Sequence, residues 1–350
     1  MSAVEALLKA LTEPPGVSGH EGRVREVILE KWTPLVDQVN ASARGSIHAL
    51  KRGATPTSHR SLMVAAHMDS VGLLVSAIDD SFLRVSAVGM LDPRVLAGTP
   101  VTVHGLRDLP GVIARLLTAQ QANESAGPAL PGLVVDTGLS AVQLRRQVRI
   151  GDPISFSGTL VELAGGWVSG RSLDNRASIA ALTFCLEELA EARPGLDLWA
   201  VATTSEETNL GGAITSAFSI APDLAIAVDT TFGKSPGSEG WQTFDVGGGP
   251  TLATGPNMHP ALHRRLREIA DELGIPYAIE PVPASSDTDA MALQVTRAGI
   301  PTMLIEIPIR YMHTAVEVAA IDDIERAGRL LAGFVSTIDD AFVEGLTWDG

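Results

Sequence analysis

SLMVAAHMD, residues 61–69, joins an unbroken apolar run to two metal-type side chains, His67 and Asp69. A short run without polar alternation reads as a strand covered on both faces. Three further runs repeat the arrangement. DLWAVATTSEE (197–207) ends in Glu206 and Glu207, DLAIAVD (223–229) ends in Asp229, and TMLIEIPIRYMH (302–313) runs on to His313. Other stretches place apolar residues on one helical face: GHEGRVREVILEKW (19–32), DNRASIAALTFCLEELAEA (174–192), HPALHRRLREIADELG (259–274) and DDIERAGRLLAGFVSTI (322–338). Strands alternating with helices predict an α/β fold, with a mixed, mostly parallel sheet covered by helices.

Residues 71–165 have a different texture. Their runs are short, β-rich and broken by Gly and Pro, as in VGLLVSAID, FLRVSAVG, TPVTVHG, PGVIARL and GDPISFSG. One short helix is expected near LSAVQLRRQV (139–148), and the polar stretch 118–132 reads as a loop. This predicts a small β-barrel-like domain inserted in the α/β domain, with boundaries at 1–70, 71–165 and 166–350. A chain of 350 residues is long enough for two cores.

The formal net charge is −15, which disfavours nucleic acid and anionic membrane surfaces as partners. No apolar run approaches the roughly 20 residues of a spanning helix. The first residues, MSAVEALLKALTEPPG, read as an amphipathic helix stopped by Pro-Pro-Gly, not as a signal peptide. The single cysteine, Cys185, is expected as a buried helix residue, so a cytoplasmic protein without disulfides is the expectation.

Ligands of parallel α/β sheets bind beyond the carboxyl ends of the strands. Asp69, Asp174, Glu206, Glu207 and Asp229 would then converge with His67 and His313. Carboxylates gathered in one cleft repel each other, and bound divalent cations remove that conflict. A His/Asp/Glu set without Cys suits zinc, cobalt or manganese better than calcium, and two histidines with several carboxylates suffice for two ions. Each residue also has a plainer reading. Asp174 alone reads as an N-cap, and Glu206 and Glu207 alone as solvated charge at a strand exit. Those readings would all have to coincide at strand ends. His259 and His263 sit four apart on a helix but lack the accompanying glutamate, so they read as structural. His20, His48, His59 and His104 lack acidic or cysteine company at ligand spacing. Asp289, in SSDTDAM, is a candidate for a helix cap or for the substrate cleft, and Arg310 is a further candidate for substrate binding.

AHMDSVGLLV, GRSLDNRAS, TTSEETNLGGA, AIAVDTT and RYMHTAVE, in that order, resemble the M42 family of metallo-aminopeptidases across essentially the whole chain. PPGVSGHEGRVREVI and SDTDAMAL look like family segments too. The resemblance implies a dinuclear-metal aminopeptidase acting on peptides with a free N-terminus. It implies that His67 and Asp229 hold one ion, Glu207 and His313 the other, and that Asp174 bridges them. Glu206 resembles the general base, and Asp69 the carboxylate that orients His67. The inserted segment resembles the family's dimerisation domain, which implies dimers assembling into a dodecamer. Ser70, His20 and SSDTDA depart from the commoner family residues, and none of these departures removes a ligand. A metal-dependent N-acyl amino acid deacylase and an endoglucanase-type glycosidase are the alternatives. A glycosidase would leave His67 and His313 without a purpose.

Overall fold

Ser61–His67 lies inside an eight-stranded sheet, parallel to Asp197–Thr203 on one side and to Leu224–Phe232 on the other. Thr302–Ile309 follows in parallel beyond Leu224–Phe232. Every residue of Ser61–His67 and of Thr302–Ile309 is buried, which explains the unalternated apolar runs. Register carries the site: His67 stands opposite Thr203, and Asp229 opposite Glu306. Parallel pairing brings all four carboxyl ends to one edge.

The structure is a computed structural model that describes residues 3–54, 60–116 and 129–348. Four further strands complete the sheet: Gln38–Ala41, Ile47–Lys51, Thr251–Thr254 and Ala278–Pro281. The sequence reading does not anticipate them. Gln38–Ala41 is a largely exposed edge with no apolar signal. Ile47–Lys51 is buried but carries two polar residues that find partners inside, His48 on Ser216 Oγ at 2.8 Å and Lys51 on the Leu35 and Ala190 carbonyls.

The expected helices form at Ala3–Thr12, Gly22–Trp32, Leu173–Glu188, Pro260–Glu272 and Ile321–Thr337. Leu173–Glu188 packs against Ser61–His67 and Leu224–Phe232 and also against Ala3–Thr12 and Ile321–Thr337. A helix so enclosed must be apolar nearly all round, and buried Cys185 belongs to it. Trp32 donates its indole N–H to Thr183 Oγ1 at 2.8 Å within the same core.

Six strands close into a separate barrel, in the order Gly72–Asp79, Phe82–Val88, Leu133–Asp136, Asp108–Arg115, Pro100–His104 and Pro153–Phe156. Leu73, Val75, Leu83, Val103, Ile113 and Val135 belong to a core distinct from that of the large sheet. Helix Ala141–Gln147 starts at a Ser140–Gln143 capping box and adds Leu144 to that core. Most of the polar stretch 118–132, like His59, lies outside the described residues. After Phe156 the chain leaves the barrel. Val161–Leu163 pairs with Trp167–Gly170, which pairs with Glu317–Ala320. Among the described residues no helix is long and apolar enough to cross a membrane.

Phe334 is fully buried in the large core and meets Phe342 edge-on at 6.1 Å. Phe334→Ala is expected to cost about 3–5 kcal/mol of stability. A lowered urea midpoint, followed through tryptophan emission, is the check, and an unchanged midpoint contradicts this packing.

Candidate metal centre

The strand Asp197–Thr203 ends just before a sharp reversal. Ser205 adopts a left-handed φ of 57°, Glu206–Asn209 makes one helical turn, and Leu210 is left-handed again at 56°. In a helical turn successive side chains are about 100° apart rather than opposed. Both glutamates therefore reach the same cleft. The turn folds back tightly, with Gly212 N–H donating to the Thr204 carbonyl at 3.0 Å. A Cβ on Gly212 would overlap the main-chain N and O of Thr204, so glycine at 212 is a steric requirement.

Buried carboxylates grip this turn by its main chain. Asp69 accepts the Glu206 N–H through Oδ1 at 3.1 Å and the Glu207 N–H through Oδ2 at 3.2 Å. It acts as an N-cap supplied from the segment that follows Ser61–His67. Its Oδ1 also lies 3.6 Å from His67 Nδ1, while its own carbonyl is nearer, at 3.2 Å. Glu21 Oε1 accepts the N–H groups of Gly19 at 2.8 Å and Ser205 at 3.2 Å.

Asp174 does not cap its helix. Ser172 is left-handed, and Asp174 and Asn175 depart from helical dihedrals, so the chain enters the helix by a detour. Glu317 holds that detour against another: Oε2 accepts the Asp174 N–H at 3.1 Å, and Oε1 accepts the His313 N–H at 2.9 Å. His313 has a φ of 63° and needs such a clamp. Asn175 and Ser178 donate to the Val228 and Asp229 carbonyls, tying the same region to the strand of Asp229.

These elements bring the candidate ligands together. His67 Nε2 lies 3.3 Å from Asp174 Oδ1 and 3.4 Å from Asp229 Oδ1. His313 Nε2 lies 3.2 Å from Asp174 Oδ2 and 3.4 Å from Glu207 Oε2. Asp174 thus turns one oxygen toward each imidazole. Donor atoms roughly 2.0–2.1 Å from a tetrahedral zinc stand about 3.3–3.4 Å apart. The spacing is that of one coordination shell on either side of Asp174. Glu206 Oε2 is farther from His67 Nε2, at 3.7 Å. Two trios, His67–Asp174–Glu207 and His67–Glu206–Asp229, each lie within 4.8 Å. Proximity alone therefore does not separate a ligand from a proton carrier, and Glu206 has the longest contact of the set.

The electrostatics point the same way. Burial first, and then neighbouring carboxylates against the relief from His67, push Glu206 up to about 10 and hold Glu207 well above the ordinary glutamate range. Asp229 is raised chiefly by burial. Burial opposes charging His67, yet the charges of Glu206 and Asp229 outweigh it and raise its pKa well above normal. Asp174 is lowered despite burial by the two imidazoles. Left to itself the chain can only share protons among these groups. Divalent cations invert that balance and keep every ligand deprotonated.

Two sequence candidates stand outside the cleft lining. Asp289 is 2% exposed beneath the sheet edge, where it accepts the Thr203 hydroxyl at 2.5 Å, and burial lifts it to about 7. Asp287 and Thr288 line the cleft instead, and Thr288 is the helix cap. Arg310 donates Nε to the Lys234 carbonyl at 2.6 Å and stacks 4.6 Å over Trp167. His259 packs against Trp348 and His263 bonds the Ala253 carbonyl, away from the centre. His104 does have acidic company: Asp108, opposite it across the hairpin, lies 2.8 Å from Nδ1. Sequence reasoning missed Glu21, Glu317 and Arg176. Arg176 is fully buried beside the charges of Asp69, Glu21 and Glu317, and burial lowers it to about 9. Glu317 has one legible signal, its place four residues after His313 in RYMHTAVE.

A family model described as M42 glutamyl aminopeptidase matches residues 45–330. A lysyl aminopeptidase of Pyrococcus furiosus is 33% identical over 332 residues, covering 93% of this chain and 94% of its own. The solved structure of an aminopeptidase from the archaeon Desulfurococcus kamchatkensis matches with a TM-score of 0.92 at 30% identity, covering 98% of this chain and 97% of that one. A TET peptidase of Pyrococcus horikoshii, which can assemble into a tetrahedron or a large octahedral shell, matches with a TM-score of 0.83 at 28% identity, covering 96% of this chain and 100% of that one.

Glu317→Gln replaces one of the two acceptor oxygens with an amide that faces a main-chain N–H. Affinity for added zinc is expected to fall about 10- to 100-fold. Competition with a chelating dye measures it. Unchanged affinity in a folded variant removes Glu317 from the organisation of the centre.

Proposed function

The chain belongs to the M42 family of glutamyl aminopeptidases, and from that membership we propose that it releases N-terminal residues from peptides at a two-cation centre, with Glu206 as the proton carrier. One observation carries the proposal: Asp174 directs Oδ1 to His67 at 3.3 Å and Oδ2 to His313 at 3.2 Å. His67, Asp229 and Asp174 would hold one ion, and His313, Glu207 and Asp174 the other. Zinc, cobalt or manganese suits this donor set. When bound, two such ions acidify water and polarise a carbonyl.

The chain's own groups supply the rest. The Asp69 grip on the turn aims Glu206 into the cleft without committing its carboxylate. Glu206 takes the proton of the attacking water and returns it to the amine that leaves. Its 3.7 Å separation from His67 leaves room for that task. The ring of carboxylates favours a substrate with a positive α-amino group and disfavours a blocked one. An N-acyl deacylase would show the opposite preference.

Assembly is the second part of the reading. The barrel carries exposed apolar side chains, among them Leu106, Val112, Val142 and Ile150. With a relative that forms closed shells, this supports the barrel as a subunit contact. Sedimentation is expected to show dimers or a twelve-chain particle, and a monomer at micromolar concentration contradicts it.

Glu206→Gln should retain two metal equivalents and lose about 10²- to 10⁴-fold in kcat. Glu207→Gln should lose metal. Atomic emission paired with aminoacyl-anilide turnover separates the two outcomes. Full activity of Glu206→Gln, full activity in chelator, or better cleavage of N-acetylated peptides would each overturn the reading.

A further inference from the structure

The cleft of about 420 Å³ that opens on the metal centre extends to a second group of carboxylates which the mechanism does not use. Glu306 is the one charged residue of Thr302–Ile309. It stands opposite Asp229 on one neighbouring strand and opposite Thr251 on the other. Glu280 stands opposite Ala253, two residues beyond Thr251. Alternation along a strand then puts Asp229, Thr231, Glu306, Thr251 and Glu280 on one face of the sheet.

Glu280 is well supplied with donors. Thr231 Oγ1 donates to its Oε1 at 2.9 Å and Thr251 Oγ1 to its Oε2 at 2.6 Å. A hydroxyl has one proton to give, so neither threonine serves Glu306. Glu306 is only 6% exposed and lines the cleft. Burial, then the charge of Glu280 and a hydrogen bond to its carboxyl group, hold Glu306 well above the ordinary glutamate range, while Glu306 Oε2 has no hydrogen-bond partner. No lysine or arginine lines this cleft among the described residues. A buried carboxylate oxygen without a donor is unfavourable until something supplies one.

We propose that Glu306, with Glu280 beside it, receives the side chain of the substrate's N-terminal residue, and that the enzyme prefers a cationic one, lysine or arginine. This rests on the aminopeptidase reading above and adds the substrate class. Pro281, Val282 and Pro283 supply an apolar wall of the same cleft, suited to the methylene stem of such a side chain. Its ammonium or guanidinium carries several donors and no acceptor. An acidic side chain meets the anionic Glu306–Glu280 carboxyl pair, and an aliphatic one leaves Glu306 Oε2 without a donor. Closed sites built to hydrogen-bond a substrate group reject analogues lacking it by as much as about 10⁴- to 10⁵-fold, and an open cleft retains part of that.

The test compares Lys-, Arg-, Leu- and Glu-p-nitroanilides on the metal-loaded enzyme and on E306Q and E280Q, which preserve side-chain shape. The wild type is expected to favour Lys and Arg over Leu by about 10²-fold in kcat/KM. The Lys:Leu ratio should fall at least about tenfold in E306Q. Calorimetric binding of free L-lysine and L-leucine gives a readout without turnover. Lysine should bind more tightly than leucine, and E306Q should remove the difference. A wild-type preference for Leu or Glu overturns the proposal, as does a ratio unchanged in both variants. That would be the result if both carboxyl groups stayed protonated with the side chain bound. If no anilide is cleaved, the aminopeptidase reading fails by itself, and lysine binding still decides the role of Glu306.

Discussion

Asp174 standing between two imidazoles is the contact on which the centre depends. Its two oxygens face His67 and His313 at near-equal distances, and Asp229 and Glu207 complete the outer corners. Four carboxylates at this burial, Glu206 included, cannot all stay charged beside one another. The two imidazoles and these carboxyl groups therefore share protons as one unit. The backbone detour at Asp174 and the left-handed His313 follow from placing those oxygens and that ring correctly.

Around this unit, a second set of carboxylates works on the main chain. Asp69 holds the N–H groups of Glu206 and Glu207, Glu21 that of Ser205, and Glu317 those of Asp174 and His313. Each turns a strained loop into a fixed one, because a charge-assisted hydrogen bond is stronger than a neutral one. Buried Arg176 stands among these three as their counter-charge. The geometry of the cluster is thus set by groups that stand outside it.

The barrel is a separate core, yet it reaches the same cleft. Met90 lines the cleft from the barrel side, and a Cβ on Gly89 would come within 3.3 Å of a Glu207 oxygen. Arg23 and Asp108 pair across the junction, and Val17 bridges to Ser70 where the chain enters the barrel. The inserted domain therefore shapes the mouth of the centre as well as offering apolar surface.

The convergence of the cluster's side chains at one sheet edge and the alternation of strands and helices were legible by themselves, because parallel strands buried on both faces leave long apolar runs and polar residues can only follow at their ends. His67, Glu206, Glu207 and Asp229 stand out for that reason. The tertiary structure alone decided three other things. It showed that adjacent Glu206 and Glu207 share a site, since that needs a helical turn held by Asp69 from beyond the end of another strand. It moved Asp289 and Arg310 out of the cleft, because a residue's place in a polar loop does not tell which way the side chain is packed. It brought Glu306 next to Glu280, residues far apart in the chain and joined only by sheet register. Periodicity is local and survives in the sequence, whereas pairing across strands and the burial of one charge against another exist only in three dimensions.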